Sequence, residues 1–310
     1  MYFYNRIVPR IIISIFIIMN DINIQNNVGL LNFGNTCFMN SGIQLLMSAS
    51  VLCVHLANND ELLDTKLKKY IKTIRDYMNI NTKIIGPKIL HVSYKKMNTR
   101  YSGFSQEDAQ EFLTYTLDDI ITHVRLLKTD EDTTHDKYIS TIEKLMTYTL
   151  ETSVLTNNTS ESSKPSITRY REFLLVLPMP ETNLTLENCY NSFLTQIDED
   201  KTIKYSLHDL PKYLFISVKR FHYDQQRRGK RQEPIEIPFL TDIFGPTYKL
   251  KGFILHMGSV NSGHYVTYAS RKIDGEVKWF CYNDNNITEV DAETVVQTSR
   301  DGYVFLYSRV

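Results

Sequence analysis

The chain is poor in cysteine, has a single tryptophan, and carries no net charge. None of its four cysteines, Cys37, Cys53, Cys189 and Cys281, forms a C-x-x-C pair, and their spacing suggests no disulfide framework. A reducing compartment fits that usage and leaves each of them free to act as a thiol. The missing cysteine pairs, together with the lack of an H-E-x-x-H helix, argue against a metal site. With 35 basic and 35 acidic residues, no overall field would gather nucleic acid. The cluster Arg227-Arg228-Gly229-Lys230-Arg231 is a local exception without interleaved aromatics, and it reads as an exposed hairpin tip. The apolar run Ile11–Met19, preceded by Arg6 and Arg10, falls short of the ~20 residues that cross a bilayer, and no small-residue cleavage site follows it. Residues 1–27 are therefore expected to form an extension outside the fold, with Met19 as an alternative start. Four sequons, at Asn157, Asn158, Asn183 and Asn286, weigh slightly against secretion, because a glycan on Asn286 would crowd the segment argued below. The expectation is an intracellular protein, cytoplasmic or nuclear, without stable membrane insertion.

What is present describes a globular protein: 42% hydrophobic and 23% charged residues over 310 positions, enough to bury a sizeable core. The 20 tyrosines and 15 phenylalanines suit sheet packing and imply no cofactor. Met39, Ile43, Leu46 and Met47 fall at helical spacing after Cys37, with capping residues in Asn32–Thr36. A second helix is predicted over 61–79. A third runs from the capping signature Ser105/Asp108 through Ala109, Phe112, Leu113, Leu117, Ile120, Ile121 and Val124. The polar stretch Thr156–Ser166, broken by Pro165, reads as a loop. Strand-like segments follow at 173–177, 213–221, 248–256, 264–270, 278–282 and 303–307, with one short helix at Leu186–Leu194. Helices first and strands later predict an α+β protein, a helical part packed on an antiparallel one.

A thiol attacks a carbonyl only as thiolate, and the first turn of a helix favours that anion through its unpaired N–H groups and its dipole. Cys37 sits at such a helix start. Gly34 lets backbone approach a substrate, and Asn32 offers an amide to a developing oxyanion. The other reading of Cys37 is a small buried hydrophobe. A base is also needed. His264 opens a strand just past a turn in Asn261-Ser262-Gly263-His264-Tyr265, where a rigid sheet would present an imidazole to a cleft; the alternative is a histidine merely satisfied at a strand end. A hairpin from His264 to Trp279–Tyr282 would bring Asn283 and Asp284 beside the ring, and either could orient it. Cys53, Cys189 and Cys281 read as packing residues.

Five segments, in order, resemble the ubiquitin-specific proteases. Gly29-Leu30-Leu31-Asn32-Phe33-Gly34-Asn35-Thr36-Cys37-Phe38-Met39-Asn40-Ser41 looks like that family's cysteine box. Tyr248-Lys249-Leu250, His256-Met257-Gly258, Gly263-His264-Tyr265 and Tyr268 resemble its histidine box, and Trp279-Phe280-Cys281-Tyr282-Asn283-Asp284 the segment of the third catalytic residue. Gln106–Leu113 and Leu210–Phe221 are similar to two further family stretches. The resemblance implies a papain-like cysteine protease with a helical thumb (about 28–145) and β fingers and palm (about 146–310), together one catalytic domain over 28–310. It implies Cys37 as nucleophile, His264 as general base and acid, Asn283 with Asp284 as orienters, and Asn32 as oxyanion donor. By position, Gln106 and Asp108 would hold the extended tail of ubiquitin, while His256, Gly263 and Tyr265 line a channel that admits its Gly-Gly end. The implied partners are ubiquitin and ubiquitinated proteins, with no nucleic acid, no cofactor and a monomeric enzyme.

Two departures from the family stand out. The two C-x-x-C pairs that many members carry in the fingers are missing around 145–170 and 195–210, so short, metal-free fingers are expected. The third catalytic position is Asn283 where Asp is common, which leaves a charged share of the role to Asp284. A protease for a ubiquitin-like modifier, or a non-catalytic ubiquitin-binding module, are the competing readings; the retained nucleophile, base and orienter speak against the second. The abundance of Asn, Ile and Lys fits an AT-rich coding genome, for which a viral source, acting in a host cell, is one origin.

Overall fold

The computed structural model describes residues 26–60, 65–97, 107–127, 133–156, 164–198, 200–223, 228–259 and 262–310. Strand β1 (Gly29–Leu30) leads into helices α1 (Cys37–Met47), α2 (Ser50–Ala57) and α3 (Lys68–Met78). Strand β2 (Ile84–Ile85) pairs in parallel with β1, and α4 (Lys88–Met97), α5 (Ala109–Arg125) and α6 (Thr133–Met146) complete a helical thumb. Next come β3 (Tyr148–Thr156), β4 (Ser166–Glu172), β5 (Leu174–Leu177), α7 (Leu186–Leu194), β6 (Thr195–Ile197), β7 (Lys201–His208) and β8 (Tyr213–Val218). The chain ends with β9 (Phe221–Tyr223), β10 (Arg228–Lys230), β11 (Leu240–Thr241), β12 (Tyr248–Gly258), β13 (Gly263–Ile273), β14 (Glu276–Asn283), β15 (Asn286–Val290), α8 (Ala292–Ser299) and β16 (Gly302–Arg309).

The palm is one sheet in the order β15-β14-β13-β12-β16-β8-β5, with β11 added on β12. It is antiparallel except where β5 joins β8 in parallel, a departure from the all-antiparallel expectation. Both faces of its centre are covered, so β8 reads as the continuous apolar run YLFISV and every residue of it is buried. Period-two alternation divides the side chains: Phe215, Val304 and Leu306 join the thumb core, while Leu214, Ile216, Phe305 and Tyr307 pack with Cys189 and Phe193 of α7 on the other side. Helix α1 lies against this sheet and is buried along its whole length. Thr267 Oγ1 on β13 donates to the Ser41 carbonyl of α1 at 2.9 Å, which sets the helix against the strand that carries His264. Gly42 allows the crossing of α1 and α5, since a Cβ there would lie 2.5 Å from the Phe112 ring.

The fingers are a four-stranded antiparallel sheet, β4-β3-β7-β6. Strand β3 ends at Thr156 and β4 begins at Ser166, the bounds of the predicted loop; as strands, β3, β4 and β7 have no counterpart among the segments read along the sequence. Their cause is cross-strand pairing of Thr, Ser and charged residues, as in Glu151↔Arg169 with a 2.6 Å bond, instead of an apolar run. Residues 157–163 of the predicted tip lie outside the described residues.

The predicted helix over 61–79 begins only at Lys68. Helices α2, α4 and α6 are additional; α2 is apolar on nearly all sides, so it offers no helical period to read. The folded body also starts before residue 28: Asn26 is buried and Tyr282 Oη donates to Asn27 Oδ1 at 2.5 Å, which moves the expected end of the extension back by two residues. Of the basic cluster expected at an exposed tip, Arg227 lies outside the described residues, while Lys230 and Arg231 are held in the fold. Lys230 Nζ donates to the His256 carbonyl at 2.5 Å, and Arg231 Nη1 donates to the carbonyls of Met179 and Pro180 at 2.9 and 3.0 Å.

Candidate active site

Cys37 is the first residue of α1 and 2% exposed. The expected side-chain cap is absent: Thr36 occupies the N-cap but uses its hydroxyl elsewhere, accepting from Phe33 N at 2.9 Å and donating to Asn32 Oδ1 at 3.1 Å. The Thr36 side chain therefore caps none of the amides of the helix start. Gly34 and Asn35 both adopt positive φ, 92° and 54°, and fold the preceding loop around the Asn32 oxygen, which also accepts from Gly34 N and Thr36 N at 2.9 and 3.2 Å. The other three thiols are poor nucleophiles. Burial pushes Cys53 up to about 12 and Cys189 up to about 11, and it raises Cys281 as well.

His264 stands at the start of β13, and its Nε2 lies 2.7 Å from Oδ1 of Asn283 at the end of β14. An amide oxygen can only accept, so Nε2 carries the proton and Nδ1 is the nitrogen left for chemistry. The strand register Thr267↔Tyr282 generates this meeting, as the predicted hairpin requires.

Asp284 takes a different part from the one expected. At φ 53° it turns its carboxylate away from the strand, and both oxygens are held by amides: Asn32 Nδ2 on Oδ2 at 2.8 Å and Asn40 Nδ2 on Oδ1 at 2.7 Å. Its carboxylate ties Asn32 to Asn40, while Asn283 holds the His264 ring. The Leu30 N–H donates to the Asp284 carbonyl at 2.9 Å, and a Cβ on Gly29 would lie 2.6 Å from the Asn285 carbonyl oxygen. The cysteine segment and the orienter turn are therefore clamped backbone to backbone. Asn40 was not among the expected site residues. Its signal was a polar residue inside a helix that is otherwise ready for burial.

Beyond Cys37, Asp108 caps α5. Its Oδ1 accepts from Gln110 N and Glu111 N at 2.7 and 3.1 Å, so Asp108 itself is the cap, and Ser105 lies outside the described residues. Tyr303 Oη donates to Asp108 Oδ2 at 3.0 Å and Tyr265 Oη to the same oxygen at 3.4 Å. Burial holds the Asp108 carboxyl above its ordinary range against these donors. Tyr303 was missed because nothing near it in sequence marks it.

His256 is buried, and burial, Lys230 and His264 together lower its imidazole to about 4, so it stays neutral in the working range. Its ring lies 4.5 Å from that of Tyr265 and 5.5 Å from that of Phe221. A Cβ on Gly263 would sit 2.2 Å from His256 Nε2, so only glycine fits there. Gln106 lies outside the described residues. Among the described residues, no group of three or more His, Cys, Asp or Glu could hold a metal ion.

A family model described as ubiquitin carboxyl-terminal hydrolase matches residues 28–307. Ubiquitin carboxyl-terminal hydrolase Usp2 of Drosophila melanogaster is 27% identical over 91% of this chain and 34% of its own length. Human ubiquitin carboxyl-terminal hydrolase 2 is 26% identical over 93% of the chain and 56% of its length. The chain thus spans a third to somewhat over a half of those relatives. Among solved structures, the SAGA Ubp8/Sgf11/Sus1/Sgf73 DUB module bound to ubiquitin aldehyde superposes with a TM-score of 0.75 at 22% identity, covering 94% of this chain and 71% of that one. This likeness shows the fold: papain-like, with thumb, palm and fingers. With a family match that runs from β1 through most of β16, the chain belongs to the ubiquitin carboxyl-terminal hydrolase family.

Proposed function

We propose that the chain is a deubiquitinating thiol protease, hydrolysing the bond after the C-terminal glycine of ubiquitin. The observation that carries this reading is the pairing of His264 Nε2 with Asn283 Oδ1 at 2.7 Å on strands packed against the helix that begins at Cys37. The Cys37 thiolate adds to the glycine carbonyl carbon. The oxygen that becomes negative is met by N–H groups of the α1 start and by the second amide hydrogen of Asn32, whose first is fixed on Asp284. His264 Nδ1, having taken the Cys37 thiol proton, gives it to the lysine amine as the C–N bond breaks and the thioester forms. A water then attacks the thioester and gives a proton to the same nitrogen, and the thiolate leaves. Asp108 and the Tyr265 and Tyr303 hydroxyls offer exchangeable partners to an extended tail, and the Gly263–His256 contact leaves a channel without room for side chains on the last residues.

Ubiquitin is preferred over other Gly-Gly modifiers because one protein of similar fold, Ubp8, is solved twice with a ubiquitin species bound. Side-by-side turnover of fluorogenic ubiquitin and its relatives tests this. Faster turnover of a relative would reassign the substrate, and no turnover of any would remove the activity. We further propose that the enzyme acts inside the cell as a monomer.

A further inference from the structure

The charge of this neutral chain is unevenly placed. Residues 79–97 hold Lys83, Lys88, Lys95 and Lys96 and no Asp or Glu. Over the same stretch four large aliphatic side chains face solvent: Ile80 at 76%, Ile84 at 49%, Ile89 at 54% and Val92 at 40% exposure. Helix α4 shows how the two properties come onto one surface. Leu90 and Tyr94 are buried and fix its inner side. Lys88, Ile89, Val92 and Lys96 fall at helical spacing on the opposite side, and all four are exposed. The segment before α4 adjoins the helix, since a Cβ on Gly86 would lie 3.0 Å from the Phe33 ring and Phe33 stacks on His91 of α4 at 5.6 Å.

The chain that precedes the described fold joins it at the same place. Asn26 Nδ2 donates to the carbonyls of Tyr77, Asn79 and Thr82 at 3.1, 2.5 and 3.1 Å. The apolar run Ile11–Met19, with Arg6 and Arg10 before it, therefore ends within at most about 25 Å of this surface along the chain.

We infer that the face formed by α4 and the 79–86 segment docks on an anionic lipid bilayer, with the aliphatic side chains entering the headgroup boundary and the lysines meeting lipid phosphates. Aliphatic residues interleaved with lysines, without acids, are the pattern that an anionic lipid surface rewards twice, by apolar burial and by charge. Nucleic acid would instead call for arginine and stacking aromatics, whereas Tyr77 and Tyr94 are buried here. An acidic protein partner would use the lysines but has no equal claim on the exposed aliphatic side chains between them. Strand β1, paired with β2 in this face, leads into the segment of Asn32 and Cys37. This inference goes beyond the proposed hydrolysis and does not depend on it.

Co-sedimentation of the full chain with vesicles tests it. Binding is expected to phosphatidylcholine–phosphatidylserine vesicles, to weaken as salt rises, and to be lost on phosphatidylcholine alone. The variant Lys88→Glu/Ile89→Ser/Val92→Ser/Lys96→Glu should lower the partition coefficient at least about 25-fold, at about fivefold per lysine, with ubiquitin turnover unchanged. The milder Lys88→Gln/Lys96→Gln pair repeats the test if the first variant loses turnover. Removing residues 1–18 should weaken binding but leave its dependence on α4. Equal binding to neutral vesicles, no binding to anionic ones, indifference to the α4 variants, or complete loss on removing residues 1–18 would each overturn the inference. So would capture of nucleic acid or an acidic polypeptide without vesicle binding.

Discussion

Asn283 holds the imidazole of His264 through an oxygen that carries no charge. The contact fixes tautomer and ring plane, but it adds no electrostatic stabilisation to the imidazolium. Asn283→Ala should therefore lower kcat/KM about a hundredfold, by freeing the ring, whereas Asn283→Asp should keep most of the rate; steady-state kinetics on fluorogenic ubiquitin decide. A second residue-scale prediction concerns stability. His55 stacks on Tyr138 at 4.7 Å, and burial lowers it to about 4. The unfolded chain, with this group near 6.5, then binds more protons between those values, so its contribution to stability is present above about pH 6.5 and is lost as pH falls toward 4. His55→Phe should flatten that part of the curve by about 2 kcal/mol in denaturant unfolding followed against pH. Cys37, His264 and Asn283 were legible because each lies in a local pattern: a helix start, a strand start and a strand end. The Asp284 bridge to Asn32 and Asn40 was not, since it depends on a backbone turn with φ 53° that puts the carboxylate across a sequence separation no pattern spans.

Helix α5 links a local signal to the site. Asp108 both caps the helix and receives the Tyr303 hydroxyl, so one carboxylate orders the helix start and the groove beside it. Asp108→Ala should cost about 1–2 kcal/mol of stability from the lost cap and raise KM for ubiquitin, while Asp108→Asn keeps most of the cap; thermal melts and substrate titrations separate the two effects. Elements with a strong period, such as α1, α5 and α7, were readable along with most palm strands. The fingers strands β3, β4 and β7 were not. Their stability comes from cross-strand partners such as Arg169 and Glu151, which only the fold brings together, and their polar alternation looks like loop to any single-segment reading.

At the scale of the whole molecule, thumb and palm are joined by a buried cation. Arg271 of β13 donates to Ser48 Oγ at 2.7 Å and to the Gln44 carbonyl of α1 at 3.0 Å, and its guanidinium lies 5.1 Å from the Tyr282 ring. Arg271→Met should destabilise the fold by about 2–4 kcal/mol, seen as a lower denaturant midpoint, because it leaves polar groups buried without their donor. The same joint holds α1, which begins at Cys37, against the strands that carry His264 and Asn283. Intact-mass measurement after incubation with ubiquitin bearing a C-terminal electrophile tests that account most directly. One ubiquitin should attach, at Cys37, and Cys37→Ala should abolish the adduct. No adduct, or one that persists in Cys37→Ala, would contradict it.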